Sequence, residues 1–287
     1  NPTSASLEGL AVFLAVLATL LVGLMLTRTD QGKIKTISHW ALLTASLGLM
    51  MLIDFTAAWL VLFITLTLVV ALSLWKRIFR ANVNRLLIPI FLIVMAAAFV
   101  PFQSQSITTN LPREQVLNQS TSWGIGLRTA VNDVKTGFLG TGIGTFHYDF
   151  AKHKPLEINQ TWLWQIRFDR AGSHLAEVLA TMGFLGIFSY LVIISLFLML
   201  SYFMLQKVNS ALPLLMVFVA LLVGQFLYYQ NTTLALLFWL ILALSVVSWQ
   251  PVRQAQGKEK VVSFKDFPEL SLVLSTVVII VGVAILG

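Results

Sequence analysis

Five side chains near the middle of the chain have the types and spacing to act on a phosphate-linked substrate: Arg128, Arg167, Arg170, His174 and Glu177. A guanidinium stays charged at any relevant pH and donates two parallel hydrogen bonds, which suits a diphosphate. His174 and Glu177 are three residues apart and so share one face of a helix. The carboxylate can orient the imidazole, and the imidazole can take a hydroxyl proton near neutral pH. Each residue also has a plainer reading. Arg128 serves equally as a solvated or headgroup-facing arginine, and His174 with Glu177 as a satisfied interfacial pair.

Between these residues lies Gly137-Phe-Leu-Gly-Thr-Gly-Ile-Gly-Thr-Phe146. Its glycines permit positive φ and close backbone approach. Two uses follow: N–H groups turned toward a phosphate, or a tight turn that returns the chain to a membrane. The turn lacks the Lys-Ser/Thr ending of a nucleotide-binding loop. His39, His147, His153 and His174 are scattered, and their spacing with Asp149 matches no metal signature, so a metal site is rejected.

The elements that must hold these residues are read from hydropathy. Hydrophobic residues make up 57% of the chain and charged ones only 11%, against about 25% charged in a soluble domain. The mean hydropathy is +0.85. These values describe a polytopic membrane protein. The net charge of +7 is then a topology signal and not a nucleic-acid footprint. The absence of cysteine excludes a disulfide framework and thiolate metal sites.

Lys33 and Lys35 precede the apolar run 37–74, and Lys76, Arg77, Arg80 and Arg85 follow it. As a helix this run would be about 57 Å long, nearly twice the hydrocarbon core of about 30 Å. Basic flanks prefer the cytoplasm, so the run crosses twice, turning at Asp54. Eight crossings fit: 7–27, 37–53, 55–75, 86–102, 175–205, 211–228, 232–249 and 270–287. Of the 19 Lys and Arg, 12 then fall on the inner side, and 252–265 is an inner linker. Trp40, Trp59, Trp75, Trp239, Trp249, Tyr228 and Tyr229 lie mostly near span ends, as interfacial anchors do. Asn1 in place of Met, and an apolar run still open at Gly287, read as a piece of a longer protein.

The expected fold is all-α: a single transmembrane domain over 1–287 with about eight helices and one long helical extracytoplasmic loop, 103–172. Within that loop 120–137 reads as an amphipathic helix, with Trp123, Leu127, Val131 and Val134 on one face. Ser120, Thr121 or Ser122 can cap it and Gly137 can end it.

These features together resemble the O-antigen ligase/polymerase family of bacterial envelope glycan assembly. The resemblance covers roughly residues 35–250. It rests on Arg128 in a loop helix, Gly140-Thr-Gly-Ile-Gly-Thr-Phe146, Ser173-His174, Leu179-Ala-Thr-Met-Gly183-Phe-Leu-Gly186, and Asp54-Phe-Thr-Ala-Ala-Trp59. It implies a glycosyltransferase of the bacterial inner membrane. Such an enzyme moves a glycan from an undecaprenyl-diphosphate carrier to an acceptor hydroxyl on a glycan or lipid, with no cofactor. Arg128 carries over as a diphosphate ligand. The family's usual Arg position holds Asp54-Phe55 here and its usual His position holds Gly172. Arg167 and Arg170 are left to replace the missing cation, and His174 with Glu177 to supply the base. The alternative is a non-catalytic transporter or scaffold for lipid-linked oligosaccharides.

Overall fold

The computed structural model describes residues 6–27, 32–75, 83–101, 114–205 and 211–254. Among them every regular element is helical, and no strand occurs. The helices are α1 (Leu7–Thr27), α2 (Lys33–Ile53), α3 (Thr56–Trp75), α4 (Leu87–Phe99), α5 (Gln119–Asn132), α6 (Val134–Leu139), α7 (Phe146–His153), α8 (His174–Leu205), α9 (Leu212–Leu227) and α10 (Thr232–Gln254). Short 3₁₀ turns cover Val83–Leu86, Leu156–Gln160 and Trp162–Gln165. The chain divides into two compact units, 1–245 and 246–287. Of the second, only the continuation of α10 to Gln254 is described. The predicted eighth span, most of the inner linker, and the basic residues Arg28, Lys76, Arg77, Arg80 and Lys207 lie outside the described residues.

Length and apolarity qualify four helices to cross a membrane: Leu7–Thr27, Lys33–Ile53, Thr56–Leu74 and His174–Tyr202. Three shorter apolar helices accompany them, Asn84–Phe99, Leu212–Leu227 and Thr232–Val247. The protein is a helical membrane protein. Its centre is α1, which packs on α2, α3 and α9 and is buried on most of its circumference. Small residues allow that closeness. A side chain on Gly23 would come within 2.8 Å of the Pro213 backbone, and one on Gly224 within 3.3 Å of Val12. These two contacts run α1 and α9 antiparallel.

Two ends of the bundle are therefore defined. At one, Arg85 donates to the last-turn carbonyl of Leu26 (3.0 Å), close to the start of α9. At the other, α2 stops at Asp54, whose φ of +50° places it in the left-handed region. Asp tolerates that conformation better than most residues. The neighbouring Phe55 ring meets Tyr228 edge-on at 5.5 Å. The Asp54 turn and the α9–α10 turn thus share one end.

Two expectations about aromatics change. Trp59 is buried and stacks on Phe99 at 4.7 Å, so it is core and not part of an interfacial belt. Tyr228 and Tyr229 are buried as well. Trp40 and Trp239 remain exposed on the outside of the bundle. The side chains of Trp75 and Trp249 lie outside the described residues.

Candidate functional site

The segment between α4 and α9 is organised by a break in α8. Gly183 has φ +66° and ψ −165°, which interrupts the helical hydrogen-bond ladder. On a straight helix His174 and Tyr190 would be about 24 Å apart, yet their rings meet edge-on at 5.9 Å. The helix folds back on itself at Gly183, dividing into an N-terminal arm (174–182) and a long apolar arm (184–205). The expected single crossing over 175–205 would be about 46 Å long, too long for a bilayer. The arm after the break is about 33 Å and matches one.

The break frees carbonyls, and the glycine-rich turn supplies the donors. Thr141 N–H donates to Ala180 (3.2 Å) and Gly142 N–H to Thr181 (2.9 Å). Gly140 has φ +73°, and a side chain there would collide with the Thr181 backbone. A side chain at Gly183 would in turn collide with Gly137, Phe138 and Gly140. The N–H groups of Gly140 and Thr145 are bonded inside the protein too. The turn therefore clasps the break in α8, and these four donors are not turned to a phosphate. Thr141 Oγ1 donates to Asp149 Oδ2 (2.6 Å). Asp149 is buried, and burial raises its pKa above 3.8 against the lowering influence of Thr141 and His153. Burial also lowers the pKa of His153. Beneath the turn, Phe146, Phe150 and Phe168 form a separate small core with Ile125 and Ala176.

The loop helix differs from expectation in its boundaries. Asn118 caps it, accepting from Ser120 N–H (3.3 Å), and extended backbone at Asp133 separates α5 from α6. Its buried side is the small-residue row Ser122, Ile125, Gly126, Thr129 and Ala130. Gly126 lies so close to Ala176 that an added Cβ would sit 2.9 Å from its carbonyl oxygen. Of the four apolar residues that share one face, Trp123 packs against the small core while Leu127, Val131 and Val134 are exposed.

The α9–α10 turn gathers the polar groups. Tyr228 and Tyr229 hydroxyls donate to the two oxygens of Glu114 (2.7 and 2.6 Å). Glu114 N–H donates to Glu8 Oε1 (2.9 Å), and Ser6 shares a hydrogen bond with Tyr228 (2.8 Å). Burial, with Glu114 alongside, raises the pKa of the Tyr229 hydroxyl. Gln119 Nε2 donates to Gly172 (2.7 Å) and Leu227 (2.9 Å), tying α5 to the bundle end. Gln225 receives a short hydrogen bond from Tyr190. It lines a small cavity with Val12, Leu221, Tyr229, Gln230 and Leu234. Glu8 Oε2 and the amide nitrogens of Gln225 and Gln230 are buried with no protein partner.

Three of the five sequence-predicted residues meet here. Arg170 lies 5.4 Å over the Tyr229 ring and donates to the Gln230 carbonyl (3.1 Å). Its charge acts on both His174 and Glu177. His174 is anchored by its backbone N–H on the Tyr228 carbonyl (3.2 Å). The Glu177 carboxylate faces the Ala171 N–H and Arg170; among the described residues no hydrogen bond joins it to His174. Arg128 stands apart on α5, donating to the His153 carbonyl (3.3 Å), and Arg167 is exposed. The sequence reading missed Glu8 and Glu114. An ionisable residue in the first turn of an otherwise apolar span was the available signal for Glu8.

Compared with protein-family models, curated proteins and solved structures, the chain matches none.

Proposed function

We propose that the protein transfers a glycan from an undecaprenyl-diphosphate carrier to an acceptor hydroxyl at the Asp54/Tyr228 end of the bundle, which we take to be the extracytoplasmic face of a bacterial inner membrane. The observation that carries this reading is Arg170, held over Tyr229 at the mouth of a membrane bundle and within electrostatic reach of His174 at the start of α8. A cation fixed at a bilayer boundary suits a diphosphate whose lipid tail stays in the hydrocarbon. The polar α9–α10 turn, with the unpartnered amide nitrogens of Gln225 and Gln230, can hydrogen-bond sugar hydroxyls.

In the proposed step the acceptor oxygen bonds to the anomeric carbon while the bond from that carbon to the diphosphate oxygen breaks. The electron pair leaves with the diphosphate, whose growing negative charge offsets the Arg170 cation that otherwise disfavours an imidazolium beside it, and the acceptor proton passes to His174. Preorganised charge at the leaving group acts where negative charge grows. Glu177 accepts from the Ala171 N–H and lies within electrostatic reach of Arg170, offsetting part of its charge. Arg128 and Arg167, on the same loop assembly, serve the approach of the carrier.

A second reading, a transporter or scaffold for the same lipid-linked glycans, is favoured by one feature: no carboxylate among the described residues orients the His174 ring. Purified protein supplied with a lipid-linked oligosaccharide and an acceptor separates the two. Release of free undecaprenyl diphosphate, abolished in Arg170→Ala, supports transfer. Binding with no release in the wild type supports the scaffold.

A further inference from the structure

Apart from Trp123, which packs on the small core, the apolar stripe that the sequence marks on the loop is not covered by protein. Leu127 and Val131 on α5, Val134, Phe138 and Leu139 on α6, and Ile143 in the glycine-rich turn all project outward. Val131 is 77% exposed, Val134 75% and Ile143 84%. A contiguous apolar surface of this kind marks a binding face and is not a normal surface for a soluble loop.

Two observations say what covers it. First, the surface continues into the long arm of α8. The Gly183 break packs on the backbones of Gly137, Phe138 and Gly140, which brings the loop against the start of the arm, where Phe184, Leu185 and Phe188 are exposed. That arm is apolar and almost wholly unburied, the condition of a helix facing lipid. Second, the depth agrees. An arm of about 33 Å starting just after Gly183 fills the hydrocarbon core, so one hydrocarbon boundary falls at the break, where the stripe lies. Arg128 and Lys135 flank the stripe and are exposed, as are the cations of helices that lie in a headgroup layer.

We infer that α5, α6 and the glycine-rich turn rest on the bilayer, with Val131, Phe138 and Ile143 dipping into the headgroup–acyl boundary. The loop is thereby a membrane-surface platform and not a free aqueous lobe. This goes beyond the proposed transfer reaction and does not depend on it.

The natural absence of cysteine makes the test direct. Single-cysteine proteins Val131→Cys, Phe138→Cys and Ile143→Cys, each at an exposed position, are nitroxide-labelled and reconstituted in liposomes of neutral and anionic phospholipid. Phe188→Cys serves as the lipid reference and Asn159→Cys as the aqueous one. The expected result is that oxygen relaxes all three labels more than a water-soluble nickel chelate does, as at 188, with the order reversed at 159. Chelate-dominated relaxation at the three positions overturns the inference. So does protection from both reagents, which would mean that another protein surface covers the stripe.

Discussion

Arg170 is held from two sides, by the Tyr229 ring and the Gln230 carbonyl, and this dual hold gives its charge a fixed direction. If it stabilises a leaving diphosphate, Arg170→Ala should lower transfer by about 10²–10³-fold. Arg170→Lys should recover only part, because an ammonium lacks the planar fork. Single-turnover release of undecaprenyl diphosphate measures both. Tyr229 owes its position to Glu114, which accepts from both tyrosines. Removing a half-buried acceptor that leaves two tyrosine hydroxyls unpaired costs about 1–3 kcal/mol, so Glu114→Ala should lower the thermal midpoint in detergent. Asp149 predicts a pH effect of definite sign. Its folded pKa is raised, so the neutral acid is the form that burial favours. The stabilisation is complete below about 3.8 and fades as pH rises through the folded value. Asp149→Asn keeps an acceptor for Thr141 without the charge. It should flatten thermal stability against pH across that window, with the variant relatively more stable at neutral pH.

At the scale of elements, the fold-back of α8 carries the geometry of the site, since it brings His174 back beside Tyr190 and over the bundle end. It depends on one backbone conformation at Gly183 and on the Thr141 and Gly142 donors. Gly183→Ala places a side chain at positive φ, at a cost of about 1–3 kcal/mol, and drives it against the Gly137–Gly140 backbone. The variant should unfold at lower temperature. Spin labels at exposed positions on the two arms should also report a wider separation by dipolar spectroscopy. An unchanged distance with unchanged stability would show that the break is held by something other than this glycine.

At the scale of the whole molecule, the bundle has one end at Arg85 and Leu26 and another at Asp54 and Tyr228. A membrane-impermeant maleimide applied to one side of oriented vesicles should therefore label Asp54→Cys and Asn159→Cys together. Lys33→Cys should be labelled only from the other side. The central position of α1 has its own consequence: the buried Glu8 at its start links α1 to Glu114 and, through it, to the tyrosines. At the Tyr228 end of the bundle, α1 and the α9–α10 turn are joined by one polar network.

The sequence alone determined that the chain is a helical membrane protein and that it turns at Asp54. It also put the candidates Arg128, Arg167, Arg170 and His174 between the fourth and fifth apolar runs, with Glu177 just inside the fifth. Those conclusions follow from hydropathy, helix length and charge, all of which are local or nearly so. Only the tertiary structure decided which face of α5 packs, because Gly126 and Ala130 are legible as an interface only once α8 lies against them. It also decided that the glycine-rich turn clasps a broken helix: the free carbonyls of Ala180 and Thr181 exist only after the ladder breaks some forty residues further on (on the order of a domain-scale loop closure). Arg170 and His174 were visible as residue types, but their partners Tyr228 and Tyr229, and the Glu114 that holds both tyrosines, come from two distant segments. Sequence spacing carries no information about contacts that chain folding alone brings together.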